Sequence, residues 1–224
     1  MSFGDELLGL DFAPSDRSSL LRGISQVRLL RNEPVDDLFN EHSEVLSDGH
    51  DMQEVSNYEG ALGLRSFLAC DFAEAAMHWE KAVRTATLNA SGDLPHAARA
   101  AIWDGDVPTA ERLIAEFARE WNQGRCAHAR LTGLTAGLAA LASRRDDAVA
   151  GFTSAITVLR ELTLEVDALF VMLDMARTLG ATDPAVVPWV IEARASIERL
   201  RIPGVEGLFE VVTAGTPVPA EATG

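Results

Sequence analysis

Five histidines, His42, His50, His78, His96 and His128, are the side chains in this sequence best suited to moving protons or holding a metal near neutral pH. No two of them stand three or four residues apart, the spacing that would aim both from one helix at one ion. The densest group of possible ligands is Ser47-Asp48-Gly49-His50-Asp51, and its Asp and Gly residues read as a turn between two helices. Asp104-Gly105-Asp106 lacks further acids at calcium-loop spacing and reads as a helix turn ending in an N-cap. Cys70 and Cys126 show no CxxC pattern and read as buried free thiols. No GxxxxGK[ST] loop, GxGxxG turn or HExxH pair is present, so phosphate cradling, dinucleotide binding and zinc hydrolysis lack their usual residues. The chemistry-bearing residues therefore predict no catalytic centre, no metal and no cofactor.

The bulk properties narrow the classes further. Among 224 residues there are 34 acids and 19 bases, a net charge of −15, and Lys81 is the one lysine. Binding a nucleic acid backbone needs clustered cations that release its counterions, and no such cluster exists. The acidity is uneven: residues 1–60 carry 13 acids and 4 bases, a net of −9, so the remainder carries −6. The N-terminus lacks the basic and continuous apolar regions of a secretory signal, and the longest weakly polar stretch, Leu131 to Ala142, falls short of the ~20 residues a membrane helix needs. A cytoplasmic location is expected, with no membrane and no direct nucleic acid partner.

The elements that must carry these residues are helices nearly end to end. Phe72, Ala75, Ala76, Trp79, Ala82, Val83 and Ala86 form an i, i+3, i+4, i+7 stripe. Asp71 and Glu74 have the spacing of a capping box in front of it. The figure returns at Val107, Ala110, Leu113, Ile114, Phe117 and Trp121, and again at Ala148, Val149, Phe152, Ala155, Ile156 and Leu159. Taking Asp71, Asp106 and Arg144 as equivalents gives steps of 35 and 38 residues, with Ala75, Ala110 and Ala148 four residues on and Trp79, Ile114 and Phe152 eight on. A period of this size indicates stacked helix pairs. Partner helices are predicted over about 53–69, 94–103 and 126–142, with further helices over 162–179, from Asp183-Pro184 to 200, and over about 202–212. An N-terminal helix pair over 15–50, worn or capping, precedes repeats over 51–201; residues 1–14 and 213–224 read as flexible ends.

Ala61-Leu62-Gly63 followed by Cys70-Asp71-Phe72-Ala73-Glu74-Ala75-Ala76 resembles a tetratricopeptide (TPR) repeat, with Leu62, Gly63, Ala75, Trp79 and Ala82 at the positions that let paired helices approach. The later copies depart from it, having Ala97-Ala98 and Thr135-Ala136 in place of Leu-Gly, and none has the closing proline. The resemblance implies an all-α, right-handed superhelix of antiparallel helix pairs, an α-solenoid of about ten helices. In it Ala110, Ile114, Phe117, Ala148, Phe152 and Ala155 repeat the packing, and first helices line a concave groove. The groove positions then fall at Asn57, Leu64, Phe67, Arg99, Trp103 and Arg130. Two arginines beside an aromatic suit an acidic peptide or a C-terminal carboxylate; alternatively Arg99 and Arg130 pair with nearby acids. The region 152–201 is also similar in rhythm to the C-terminal repeats of NTPase-linked transcription regulators and nucleotide cyclases of high-GC bacteria. The expected function is a non-catalytic protein–protein interaction scaffold in regulation or signalling, or a regulatory fragment of such a protein, with self-association left open.

Overall fold

The computed structural model describes residues 10, 12–47, 51–120 and 123–215. Among them regular structure is helical throughout: α1 (Pro14–Leu30), α2 (Asp36–Ser47), α3 (Met52–Leu68), α4 (Phe72–Thr85), α5 (Ala90–Asp104), α6 (Val107–Glu120), α7 (Gly124–Leu141), α8 (Arg145–Glu161), α9 (Glu165–Leu179), α10 (Val187–Leu200) and α11 (Glu206–Ala214), with single 3₁₀ turns at Thr87–Asn89 and Pro203–Val205. No described helix is long and apolar enough to cross a membrane. Trp121, the 48–50 stretch and the two chain ends lie outside the described residues.

The predicted pairs form as α3/α4, α5/α6 and α7/α8. One turn geometry makes all three. Cys70, Gly105 and Ser143 take left-handed backbone (φ 65°, 85° and 57°). The next N–H, of Asp71, Asp106 and Arg144, reaches the carbonyl five residues back at 2.9, 2.9 and 2.8 Å, satisfying a helix-end acceptor. Asp71 and Asp106 then cap the second helix by accepting from the N–H of Glu74 at 3.2 Å and of Thr109 at 3.1 Å. Glu74 does not complete a capping box, because its carboxylate takes the Ser66 hydroxyl at 2.8 Å. The reciprocal box is formed at Asp51 and Glu54, which start α3.

The repeat positions pack as the alignment requires. Leu62, Ala75, Trp79, Ala82, Ala110, Ile114, Phe117, Ala148, Phe152 and Ala155 are all buried. A Cβ at Gly63 would lie 2.8 Å from the Trp79 ring, so glycine there lets α4 seat its indole on α3. In the third pair the close approach is moved to the other helix, where a Cβ at Gly151 would stand 2.8 Å from Ala136.

The open concave groove of the solenoid is not what forms. The turn at Thr163, again left-handed (φ 58°), sends the chain into α9, which packs on α8, α7 and α5, and α11 packs on α9. Ala168, Leu169, Phe170, Val171, Met172, Leu173, Met175 and Ala176 are all buried, so α9 is apolar on every side and fills the inner face. The chain then returns to its beginning. A Cβ on Gly204 would stand 2.0 Å from the Leu29 carbonyl oxygen, which places the Pro203–Val205 turn against the end of α1.

Trp79→Ala should lower stability by ~3–5 kcal/mol through the cavity it leaves, and Gly63→Ala by ~1–3 kcal/mol through overpacking against that indole. Chemical denaturation midpoints read both, and two unchanged midpoints would remove the α3–α4 register.

Candidate functional site

Three of the predicted groove residues converge on α9. Asp174, in the middle of that helix, accepts from Arg99 Nε at both carboxylate oxygens (3.0 and 2.9 Å) and from Trp103 Nε1 at 2.7 Å. The Thr178 hydroxyl donates to the Asp174 carbonyl at 2.8 Å. Arg130 Nε reaches Asp167, about two turns of α9 earlier, at 2.7 Å. Arg99 and Trp103 are 6% and 1% exposed, so neither presents a surface to a peptide. The pairing alternative for the two arginines is therefore the arrangement found, in the interior for Arg99 and half-buried for Arg130.

Aromatic rings complete this centre. Phe67 meets Phe72, Trp79, Trp103 and Phe170 at centroid distances of 5.4, 5.6, 5.1 and 6.1 Å. His96 stacks on Trp79 at 5.1 Å, and its Nδ1 accepts from Arg99 Nη1 at 3.3 Å. Burial first, then the charges of Arg99 and Arg130, hold His96 down to about 3, so the ring is neutral and its proton sits on Nε2. Burial pushes the Asp174 carboxyl up against the opposing pull of Arg99 and the Trp103 N–H. With Asp174 and both side chains that reach it paired internally, the centre is built for cohesion. One sequence signal pointed to it: Glu165–Leu179 has no polar face, and such a helix is buried, so its lone mid-helix acid must find a cation.

Asn57 lies in a second polar centre, between the first pair and the repeats. Its amide donates to Ser18 Oγ at 3.3 Å and Ser19 Oγ at 3.1 Å, while its carbonyl oxygen accepts from Gln53 at 3.1 Å and Asn89 at 2.8 Å. Arg22 crosses α3 over Gly60, where a Cβ would strike its guanidinium at 2.4 Å, to bind Asp93 on α5. Ser18 Oγ and His42 Nε2 are 2.8 Å apart, the beginnings of a nucleophile and base. Both are fully buried, however, and no acid orients the other ring nitrogen. A further imidazole, His78, is held at Nδ1 by buried Glu59 at 2.6 Å, but Lys81 shares that carboxylate at 2.6 Å and no nucleophile stands at its other nitrogen.

No family model, curated protein or solved structure matches the chain. Its own geometry therefore carries the reading. Among the described residues no three His, Cys, Asp or Glu side chains are placed to share a metal ion. Among the described residues two open depressions bear on this question. One, of about 470 Å³, is floored by Ala129 and Ala155 with Arg125 and His128 on its rim; the other, of about 540 Å³, is floored by Ala76 and Ala101 beside Met77 and Glu80. Neither assembles a nucleophile, a base and an orienting acid.

Removing one partner of the buried pair leaves the other charged and unmet. Asp174→Ala should cost ~3–5 kcal/mol, whereas Arg99→Met combined with Asp174→Leu should cost less than either single change. A denaturant double-mutant cycle with additive losses would count against Arg99 and Asp174 acting as one unit.

Proposed function

We propose that this chain is a non-catalytic protein-interaction module of the TPR-like helical-repeat kind, working in a cytoplasmic regulatory or signalling pathway and engaging its partner through the acidic N-terminal helix pair. The observation that carries this reading is the distribution of unmatched charge once the inner face is filled. In α1 and α2 the bases Arg17, Arg22 and Arg28 are taken up by Glu41, Asp93 and Asp37. Asp16, Glu33 and Asp36 face solvent with no cation beside them among the described residues. On the outer face of the repeats, by contrast, Arg84 meets Glu116 at 2.6 Å, Arg112 meets Glu80 at 2.8 Å and Arg160 meets Glu192 at 2.6 Å, so charge there is largely matched. A partner with a basic segment fits the first pair, since complementary charge steers encounter and sets specificity. An acidic peptide in the groove is a poorer fit, because Arg99 and Arg130 already hold Asp174 and Asp167.

One observation supports the second reading, a regulatory segment of a larger NTPase-linked transcription regulator or nucleotide cyclase. The last outer helix, α10, leaves Val187 at 39% and Ile191 at 67% exposed, one turn apart on one face. Apolar side chains at the end of a helix stack are where a following unit would pack.

A native-lysate pull-down with the full chain, read against Glu33→Lys with Asp36→Lys, tests the first reading. A defined protein should be recovered by the wild type, lost about tenfold or more in the variant, and weakened by raised salt. Equal recovery by both chains would remove the acidic face as the binding surface.

A further inference from the structure

The first helix pair is joined to the repeats by a seam whose chemistry is unlike that of the main core. Val35, just before α2, and Phe39 of α2 form a small cluster with Ala61 and Leu62 of α3, separate from the large core that runs from Phe67 to Val212. Beside buried Leu21 and Leu38, the seam encloses many polar groups: Ser18, Ser25, His42, Glu54, Ser56, Asn57 and Asp93 are each 5% exposed or less. Two of its buried polar atoms, His42 Nδ1 and Ser56 Oγ, have no hydrogen-bond partner among the described residues. A buried polar seam with unmet groups separates more easily than the main core, since opening it returns those groups to water and partly offsets the exposure of Leu21, Leu38 and Phe39.

We propose that the α1–α2 pair is a proton-operated cap, which lifts from α3 when His42 takes up a proton while the repeats behind it stay folded. The neutral ring tolerates its site because one nitrogen meets Ser18 and the other needs no acceptor when it carries no hydrogen. A protonated ring bears an N–H on both nitrogens, and the one on Nδ1 would be buried without an acceptor.

A hydrogen bond with the Glu54 backbone favours the proton but is outweighed by burial and by Arg22, and the other charges nearby give no relief. From α1, Arg17 is held by Glu41, Arg28 by Asp37, and Arg22 by Asp93, and Arg22 acts on the ring as a like charge. From α3, Glu54 accepts the Asp51 backbone N–H, Glu59 is shared by His78 and Lys81, Arg65 lies over the Phe39 ring, and Tyr58 offers the imidazole only a ring edge at 5.1 Å. On α2 itself, Glu41 is committed to Arg17.

The direction with pH follows. Burial first, and Arg22 second, lower His42 from 6.5 to about 4 in the closed state. In the lifted state the ring is in water and titrates near its ordinary value. A base whose affinity for the proton is lower when closed loses closed-state stability as pH falls, here from 6.5 down to about 4. The ratio of lifted to closed molecules should rise about 30-fold between about pH 7.5 and pH 5.

Hydrogen exchange of the full chain at those two pH values, corrected for intrinsic rates, reads the opening segment by segment. Amides of α1 and α2 should lose about tenfold or more of their protection at pH 5. In His42→Gln, which cannot titrate, that loss should vanish, while any acid effect through His96 in α5 persists. A loss of protection in α1 and α2 that is the same in both proteins would overturn the cap, as would unchanged protection in the wild type. Should the glutamine variant not fold, the ring protons of His42 decide the matter by NMR in the wild type. A midpoint well below 6 that coincides with the opening supports the cap, and a midpoint near 6.5 overturns it.

Discussion

A carboxylate enclosed by apolar side chains loses several kcal/mol of hydration, and it survives there only when its lone pairs are met with good geometry. Asp174 is such a group, and what meets it comes from a different layer of the molecule. Arg99 and Trp103 stand on α5, 75 and 71 residues earlier in the chain, and both reach Asp174 from the face that would otherwise line a groove. The pair thus ties the first helix of the second repeat to the helix that fills the inner face. Well-packed apolar residues could give similar stability, so the function of an ion pair at this place is better seen in register: the Arg99 Nε–H shared by both carboxylate oxygens, with the Trp103 N–H beside it, favours one rotation and one height of α9 against α5. With α9 so placed, Phe170 completes the aromatic cluster around Phe67, and Arg130 finds Asp167.

Much of this was legible from residue types. The helices and their pairing came from periodicity, and the small and large residues at +4 and +8 packed as the spacing demanded, with Ala75, Ala110 and Ala148 each fully enclosed. The turns were less legible, because a left-handed residue at the end of each first helix is usually glycine, and only Gly105 of the three obeys that preference. Cys70 and Ser143 hold the same conformation through the carbonyl contacts made by the residue that follows.

The site residues failed for a more instructive reason. Arg99, Trp103 and Arg130 were placed by the register that the TPR resemblance implies, which says which face of a helix is inward but not what lies opposite. What lies opposite was encoded 75, 71 and 37 residues downstream, in a helix whose apolar residues occupy every side. Asn57 shows the same limit in the polar direction. A lone Asn on a first helix has no signature distinguishing a peptide contact from a bridge among Ser18, Ser19, Gln53 and Asn89.

Filling the inner face decides where any partner can bind, and magnitudes show why. To enter the groove a peptide would have to expel α9 and return Leu169, Phe170, Val171, Met172, Leu173 and Met175 to water, at ~1.5–3 kcal/mol for each side chain. The sum, ~9–18 kcal/mol, equals or exceeds the ~8 kcal/mol of a micromolar complex before the buried Asp174 and Arg99 are separated. Displacement is therefore closed to ordinary peptides, and recognition is confined to surfaces already outside. Among those, matched Arg–Glu pairs across α4, α6, α8 and α10 leave little net field. The first pair differs on both counts, since its outer side carries unmatched acids and its inner side, apart from Leu30 at the end of α1, rests on a largely polar seam outside the main core. Charge that can attract a partner and an attachment that can yield to one are thus found on the same two helices.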